Sequence, residues 1–131
     1  MPAQPSPWLP PLPDSVQLGD LWPAAADRAA TDGEERAAGG ENTVPFGLID
    51  LPERQLQRAA ELSLRGFSHL MAAGMPRSGR SQLLRTIAGA IALAHGCGDV
   101  HLFGLDCGNG ALLPVAALPH CGAVVLSLIH I

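Results

Sequence analysis

The apolar pattern of the chain changes character near residue 43, and from there on it repeats regularly enough to predict elements. Residues 44 to 51, from Val44 through Phe46 and Ile49 to Leu51, read as a strand that Pro52 ends. Residues 53 to 64 fit two periods. Leu56, Ala60 and Leu64 share a helical face, while Ala60, Leu62 and Leu64 alternate as in a strand, and periodicity leaves both open. The run His69-Leu70-Met71-Ala72-Ala73 is short and mostly apolar, as in a buried parallel strand, and Gly74 closes it. A glycine-containing loop leads into a predicted helix over residues 81 to 95. There Leu84, Ile87, Ala88, Ile91 and Ala94 recur at three- and four-residue spacing, and Gly96 is the expected stop. Residues 100 to 105 predict a second strand, followed by Asp106, a glycine-rich turn, a short helix over 112 to 118 and a last strand from Ala123. Strand, loop, helix and strand in this order form a βαβ unit. Such units build a parallel sheet with right-handed crossovers, and ligands bind at the carboxyl ends of the strands.

Before residue 43 the pattern is of another kind. Residues 1 to 42 hold seven of the 12 prolines and seven acids, against only Arg28 and Arg36. They read as a largely disordered inter-domain linker. Its opening, Pro7-Trp8-Leu9-Pro10-Pro11-Leu12-Pro13, is expected to be extended or polyproline-like. Trp8 and Trp22 are either apolar anchors for a neighbouring surface or idle members of a disordered tail. Residues 27 to 38 have some helical propensity but no apolar face, and Gly39-Gly40 ends them, so they too are expected to be disordered. At the other end, Leu126-Ser127-Leu128-Ile129-His130-Ile131 is the translation of the mosaic-end sequence of transposase-based sequencing adapters. It reads as a scar lying outside the fold, the alternative being an ordinary apolar strand end. On the scar reading the natural protein continues past Val125. The expected organisation is therefore linker 1 to 42, folded segment 43 to 125 and scar 126 to 131.

Composition narrows the class. A chain of 131 residues allows one domain, and 47% hydrophobic content with 4% aromatics and no tyrosine implies an Ala, Leu, Val and Ile core, typical of helix on sheet. Collagen, coiled coil and aromatic-rich β-sandwich are excluded. The net charge is −4, and all eight cations are arginine. No basic tract is present to neutralise a row of phosphates, which argues against nucleic-acid coating. No apolar stretch reaches the roughly 18 to 20 residues that span a bilayer. The amino terminus lacks the pattern of a secretory signal, so Cys97, Cys107 and Cys121 are expected to be reduced, as buried or half-buried thiols. Their spacing matches no zinc pattern. His69, His95, His101 and His120 show no triad-like spacing and read mostly as surface or strand-end residues.

The loop between the predicted strand and helix carries the candidate chemistry. Gly74-Met75-Pro76-Arg77-Ser78-Gly79-Arg80-Ser81 matches G-x-x-x-x-G-K-[ST] with arginine in place of lysine, and Gln82 follows in the first helical turn. Two glycines permit the backbone torsions that turn successive N–H groups inward around phosphate oxygens. The start of the helix adds its positive end. Arg80 is placed to reach outer phosphates, and the Ser81 hydroxyl to join a magnesium ion. Arginine for lysine is not conservative, because a planar fork replaces a compact point charge. Nucleotide binding with slow or absent turnover is the expectation. Asp106 ends an apolar strand, as a magnesium-holding acid does, but the turn residues Cys107-Gly108-Asn109-Gly110 beside it favour a strand-end carboxylate.

Several segments in register resemble one family. They are Val44-Pro45-Phe46-Gly47-Leu48-Ile49-Asp50-Leu51-Pro52, His69 to Gly74, Pro76 to Ser81 with Leu84-Arg85-Thr86, Leu105-Asp106, and Leu118-Pro119-His120-Cys121-Gly122-Ala123-Val124-Val125. Together they are similar to an FtsK/SpoIIIE-type ATPase domain, most of all to the tandem domains of the EccC component of actinobacterial type VII secretion systems. Trp8 to Pro13 is similar to the linker between such domains. The resemblance implies an α/β fold, here an incomplete RecA-like P-loop core with a parallel sheet behind a Pro-rich linker. It also makes residues 53 to 64 part of a strand-rich opening to the domain. It implies ATP and magnesium as cofactors, neighbouring ATPase domains of the same motor as partners, and a cytoplasmic place in a membrane-anchored complex. The cargo it implies is a secreted protein in the type VII branch or DNA in the translocase branch. The site residues carried over are Gly74 through Ser81.

Overall fold

A computed structural model describes residues 8–21, 42–66 and 69–126. Trp22, residues 27 to 38 and residues 127 to 131 lie outside the described residues. The chain divides into two compact units, one up to Gly66 and the other from Phe67 onward.

The first unit is an antiparallel hairpin of β1 (Thr43–Leu51) and β2 (Leu56–Ser63). The alternating reading of residues 53 to 64 is therefore the one realised. Pro52 opens a 3₁₀ turn, Pro52–Arg54, and Gln55 closes it in the left-handed region at φ 49°. At the open end, Leu64 N donates to Asn42 O at 2.8 Å. The pairing slips between Pro45 and Gly47, where Pro45 has no N–H to give the ladder. Val44, Ala59, Ala60 and Leu62 are buried, and so is Leu21, which follows the 3₁₀ turn Leu18–Asp20. Residues 8–21 thus run against the hairpin: Gln57 Nε2 donates to Pro10 O at 2.6 Å, and Trp8 and Leu9 border a shallow hollow with Asp50, Pro52 and Gln55. Trp8 itself stays largely exposed.

The second unit contains α1 (Arg80–Ala94), β3 (Leu102–Asp106), a 3₁₀ turn at Leu113–Ala117 and β4 (Cys121–Leu126). Its sheet is parallel, with Phe103 beside Ala123 and Leu105 beside Val125. Ile87, Ala88, Ala90, Ile91 and Val115 form the buried apolar set. The helix arises where its stripe predicted it, but the stripe is rotated: Ala90 is buried, while Leu84 and Ala94 are exposed.

Two expectations need correction. Residues 69–74 belong to no strand, and Met71 is 88% exposed, because no neighbouring segment among the described residues forms a ladder with them. The parallel pair is instead β3 with β4, and the short helix expected over 112 to 118 lies between them as the 3₁₀ helix Leu113–Ala117. Cys97 and Cys107 are exposed rather than buried, Cys97 in a turn between Gly96 and Gly98 and Cys107 just past the end of β3; Cys121, on β4, is half-buried. Leu126 pairs opposite Asp106 as the last residue of β4.

Phe103 is 77% exposed, and Leu105 and Val125 beside it are exposed as well, so one face of the parallel pair is uncovered. No helix among the described residues is long and apolar enough to cross a membrane.

Candidate functional site: a glycine-rich loop at a helix start

The loop from Gly74 to Gly79 is shaped by two glycines for different reasons. Gly74 lies beneath Ser78, and a Cβ there would run into Ser78 Oγ and come within 3.1 Å of Ser78 Cβ. Gly79 has open space around it but stands at φ 92°, ψ 8°, a conformation costly for any residue with a side chain. Between them Ser78 N donates to Met75 O at 3.1 Å, closing a turn, and Arg77 adopts a left-handed φ of 64°. Pro76 contributes no N–H.

Helix α1 begins directly behind this turn, its first bond running from Leu83 N to Gly79 O at 2.8 Å. No side chain caps the helix start and no acid occupies its first turn. The N–H groups of Arg80, Ser81 and Gln82 accordingly meet no acceptor among the described residues. Bare donors at the positive end of a helix are suited to an anion. Arg77 and Arg80 are exposed on either side of Gly79, and Ser81 is half-buried. Gln82 Oε1 accepts a hydrogen bond from Arg85 Nη2 at 2.7 Å, one turn further along the helix.

Asp106 serves its own loop. The residue is 6% exposed. Oδ1 accepts from Gly108 N and Oδ2 from Leu112 N, each at 2.9 Å. The Leu112 and Gly108 N–H groups hold the carboxyl below the usual aspartate range, against the opposing effect of burial. This is the strand-end role that the neighbouring turn residues suggested.

His120, grouped from its sequence with surface or strand-end histidines, is buried. The residue is 4% exposed, and its ring Nε2 lies 2.7 Å from His95 O. The only local signal is its place after Pro119 at a strand start, because its partner is a main-chain carbonyl 25 residues away.

The family model of the FtsK/SpoIIIE family matches residues 35–128, most of the chain. The chain belongs to the FtsK/SpoIIIE family. Within it, the chain is 38% identical over 118 residues to the ESX-4 secretion system protein EccC4 of Mycobacterium tuberculosis, a match covering 89% of this chain and 9% of that protein. It is 37% identical over 126 residues to the ESX secretion system protein EccC of Thermomonospora curvata, covering 92% and 9%. The type VII secretion system protein EssC of Staphylococcus aureus is 33% identical over 114 residues, covering 87% and 7%. The solved cytoplasmic domain of the Thermomonospora curvata type VII secretion ATPase EccC superposes with a TM-score of 0.63 at 37% identity, over 75% of this chain and 11% of that one. The chain thus spans less than a tenth of the length of these curated relatives. FtsK/SpoIIIE membership and the EccC likeness agree with the resemblance read from the sequence, and the mixed α/β fold with a small parallel sheet agrees with the expected class.

Proposed function

We propose that this chain is the ATP-binding segment of an FtsK/SpoIIIE-type motor ATPase acting in type VII protein secretion. The observation that carries the reading is the turn ending in left-handed Gly79, which hands the chain to an uncapped helix with three bare N–H groups. The main chain from Gly74 to Gln82 would hold the phosphates, with Arg80, and Arg77 beside it, facing their outer oxygens. Ser81 is the residue placed to hold a magnesium ion, which would supply charge neutralisation between the phosphates. Asp106 is the second candidate to hold that ion, although each of its oxygens already accepts one hydrogen bond from its own loop.

Arginine at position 80 favours one second reading, a degenerate module that binds nucleotide with little turnover and works mainly by docking neighbours. A guanidinium satisfies phosphate oxygens by two parallel bonds, but it lacks the flexible point charge that follows a phosphoryl group through transfer. In either case the partners are other ATPase domains of the same motor, in the cytoplasm, with membrane attachment only through the complex. A secreted protein is the favoured cargo over DNA, since the chain is acidic overall. Calorimetric titration of the chain with ATP and magnesium tests the proposal. Saturable binding that Arg80→Ala weakens supports it, and absence of binding overturns it.

A further inference from the structure

His120 lies in the turn that enters β4. Its Nε2 faces the carbonyl of His95, the residue that caps the carboxyl end of α1. A carbonyl oxygen only accepts, so Nε2 carries the proton and donates, and Nδ1 is left with a bare lone pair. Nδ1 is buried and has no partner among the described residues, which suits a lone pair better than an N–H, since orphaned buried donors are the rarer case. The main chain of the same residue is tied elsewhere: His120 O accepts from Leu102 N, just at the start of β3, at 2.8 Å. One residue therefore joins the end of α1 to the beginnings of both strands. The last carbonyls of a helix have no partner within it, and here the ring supplies one.

A helix of 15 residues is a rod about 22 Å long whose middle is held by its buried face, Ile87 to Ile91, so fastening the carboxyl end as well restrains where the amino end points. That other end is Gly79 and the bare N–H groups behind it. We propose that His120 is a positioning residue for the phosphate loop: as the Nε2–H tautomer it clamps the carboxyl end of α1 to the β3 and β4 sheet and so sets the angle at which the amino end meets phosphate. The clamp is independent of any ligand, and only its effect on affinity rests on the nucleotide-binding reading proposed above.

The test compares the full chain with His120→Leu, which keeps apolar volume but removes the donor, and His120→Gln, whose side-chain amide restores an N–H at similar reach. Imidazole ¹⁵N spectra of the parent chain should show the neutral Nε2–H tautomer. Amide exchange across α1 should rise about tenfold in His120→Leu and ATP affinity, by calorimetry, fall about five- to tenfold, with both within about twofold of the parent in His120→Gln. An Nδ1–H tautomer, parent-like exchange and affinity in His120→Leu, or failure of His120→Gln to recover either one, would overturn the proposal. If His120→Leu does not fold, the tautomer and His120→Gln decide it. If the parent chain binds no ATP, the nucleotide reading fails, while tautomer and exchange still decide whether the clamp exists.

Discussion

Ser78 folds its side chain over Gly74, filling the space that a Cβ on Gly74 would need. The loop closes on itself through this contact, and the consequence is directly testable. Gly74→Ala should displace Ser78 and lower ATP affinity about tenfold, equivalent to about 1.4 kcal/mol. Adding Ser78→Gly removes the obstacle, so the double variant should recover much of the loss in a calorimetric titration.

Gly79 fails for a different reason when replaced. Nothing lies within 4 Å of its missing Cβ, so Gly79→Ala creates no clash, only a side chain at φ 92°. The expected cost is about 1–2 kcal/mol of stability. It should appear as a lower melting temperature by circular dichroism, and no second-site truncation should rescue it.

Arg80 faces outward beside the bare helix start. If it meets the outermost phosphate, Arg80→Ala should weaken ATP by about tenfold or more while weakening ADP distinctly less. Arg80→Lys should keep ATP binding and raise phosphate release, read in a coupled phosphate assay. Equal losses for ATP and ADP would place the guanidinium elsewhere.

Asp106 gives the fold a dependence on acid. Its carboxyl is held below the usual range by the N–H groups of Leu112 and Gly108, so the native state favours the ionised form. The stability this confers is complete above the unfolded value of about 3.9 and disappears as pH falls through the lower folded value. Asp106→Asn should therefore flatten the fall in urea midpoint below about pH 4 and leave the remaining pH profile alone.

Phe103, Leu105 and Val125 line an uncovered sheet face. Parallel sheets are ordinarily covered on both faces, so the chain by itself should self-associate as concentration rises. Phe103→Ser should reduce that association in sedimentation velocity without lowering the helical signal.

Much of this was legible in the residues. Leu84, Ile87, Ala88 and Ile91 placed α1 to within one residue, because helical spacing and Gly96 are local signals. The site loop was legible for the same reason, since glycine spacing and a following helix lie within a few residues of one another. Residues 56 to 63 were ambiguous because their apolar positions satisfy both periods, and only pairing with β1 settles the matter. Residues 69 to 73 have the composition of a buried strand, but a ladder needs a neighbour, and composition does not supply one. The clamp at His120 was invisible, since its acceptor is a carbonyl, which every residue possesses.

The donors gathered at the loop are peptide N–H groups and two arginines. Both kinds only donate hydrogen bonds and neither accepts one. The loop therefore favours a ligand whose facing atoms are all acceptors and turns away one that presents N–H or O–H groups of its own.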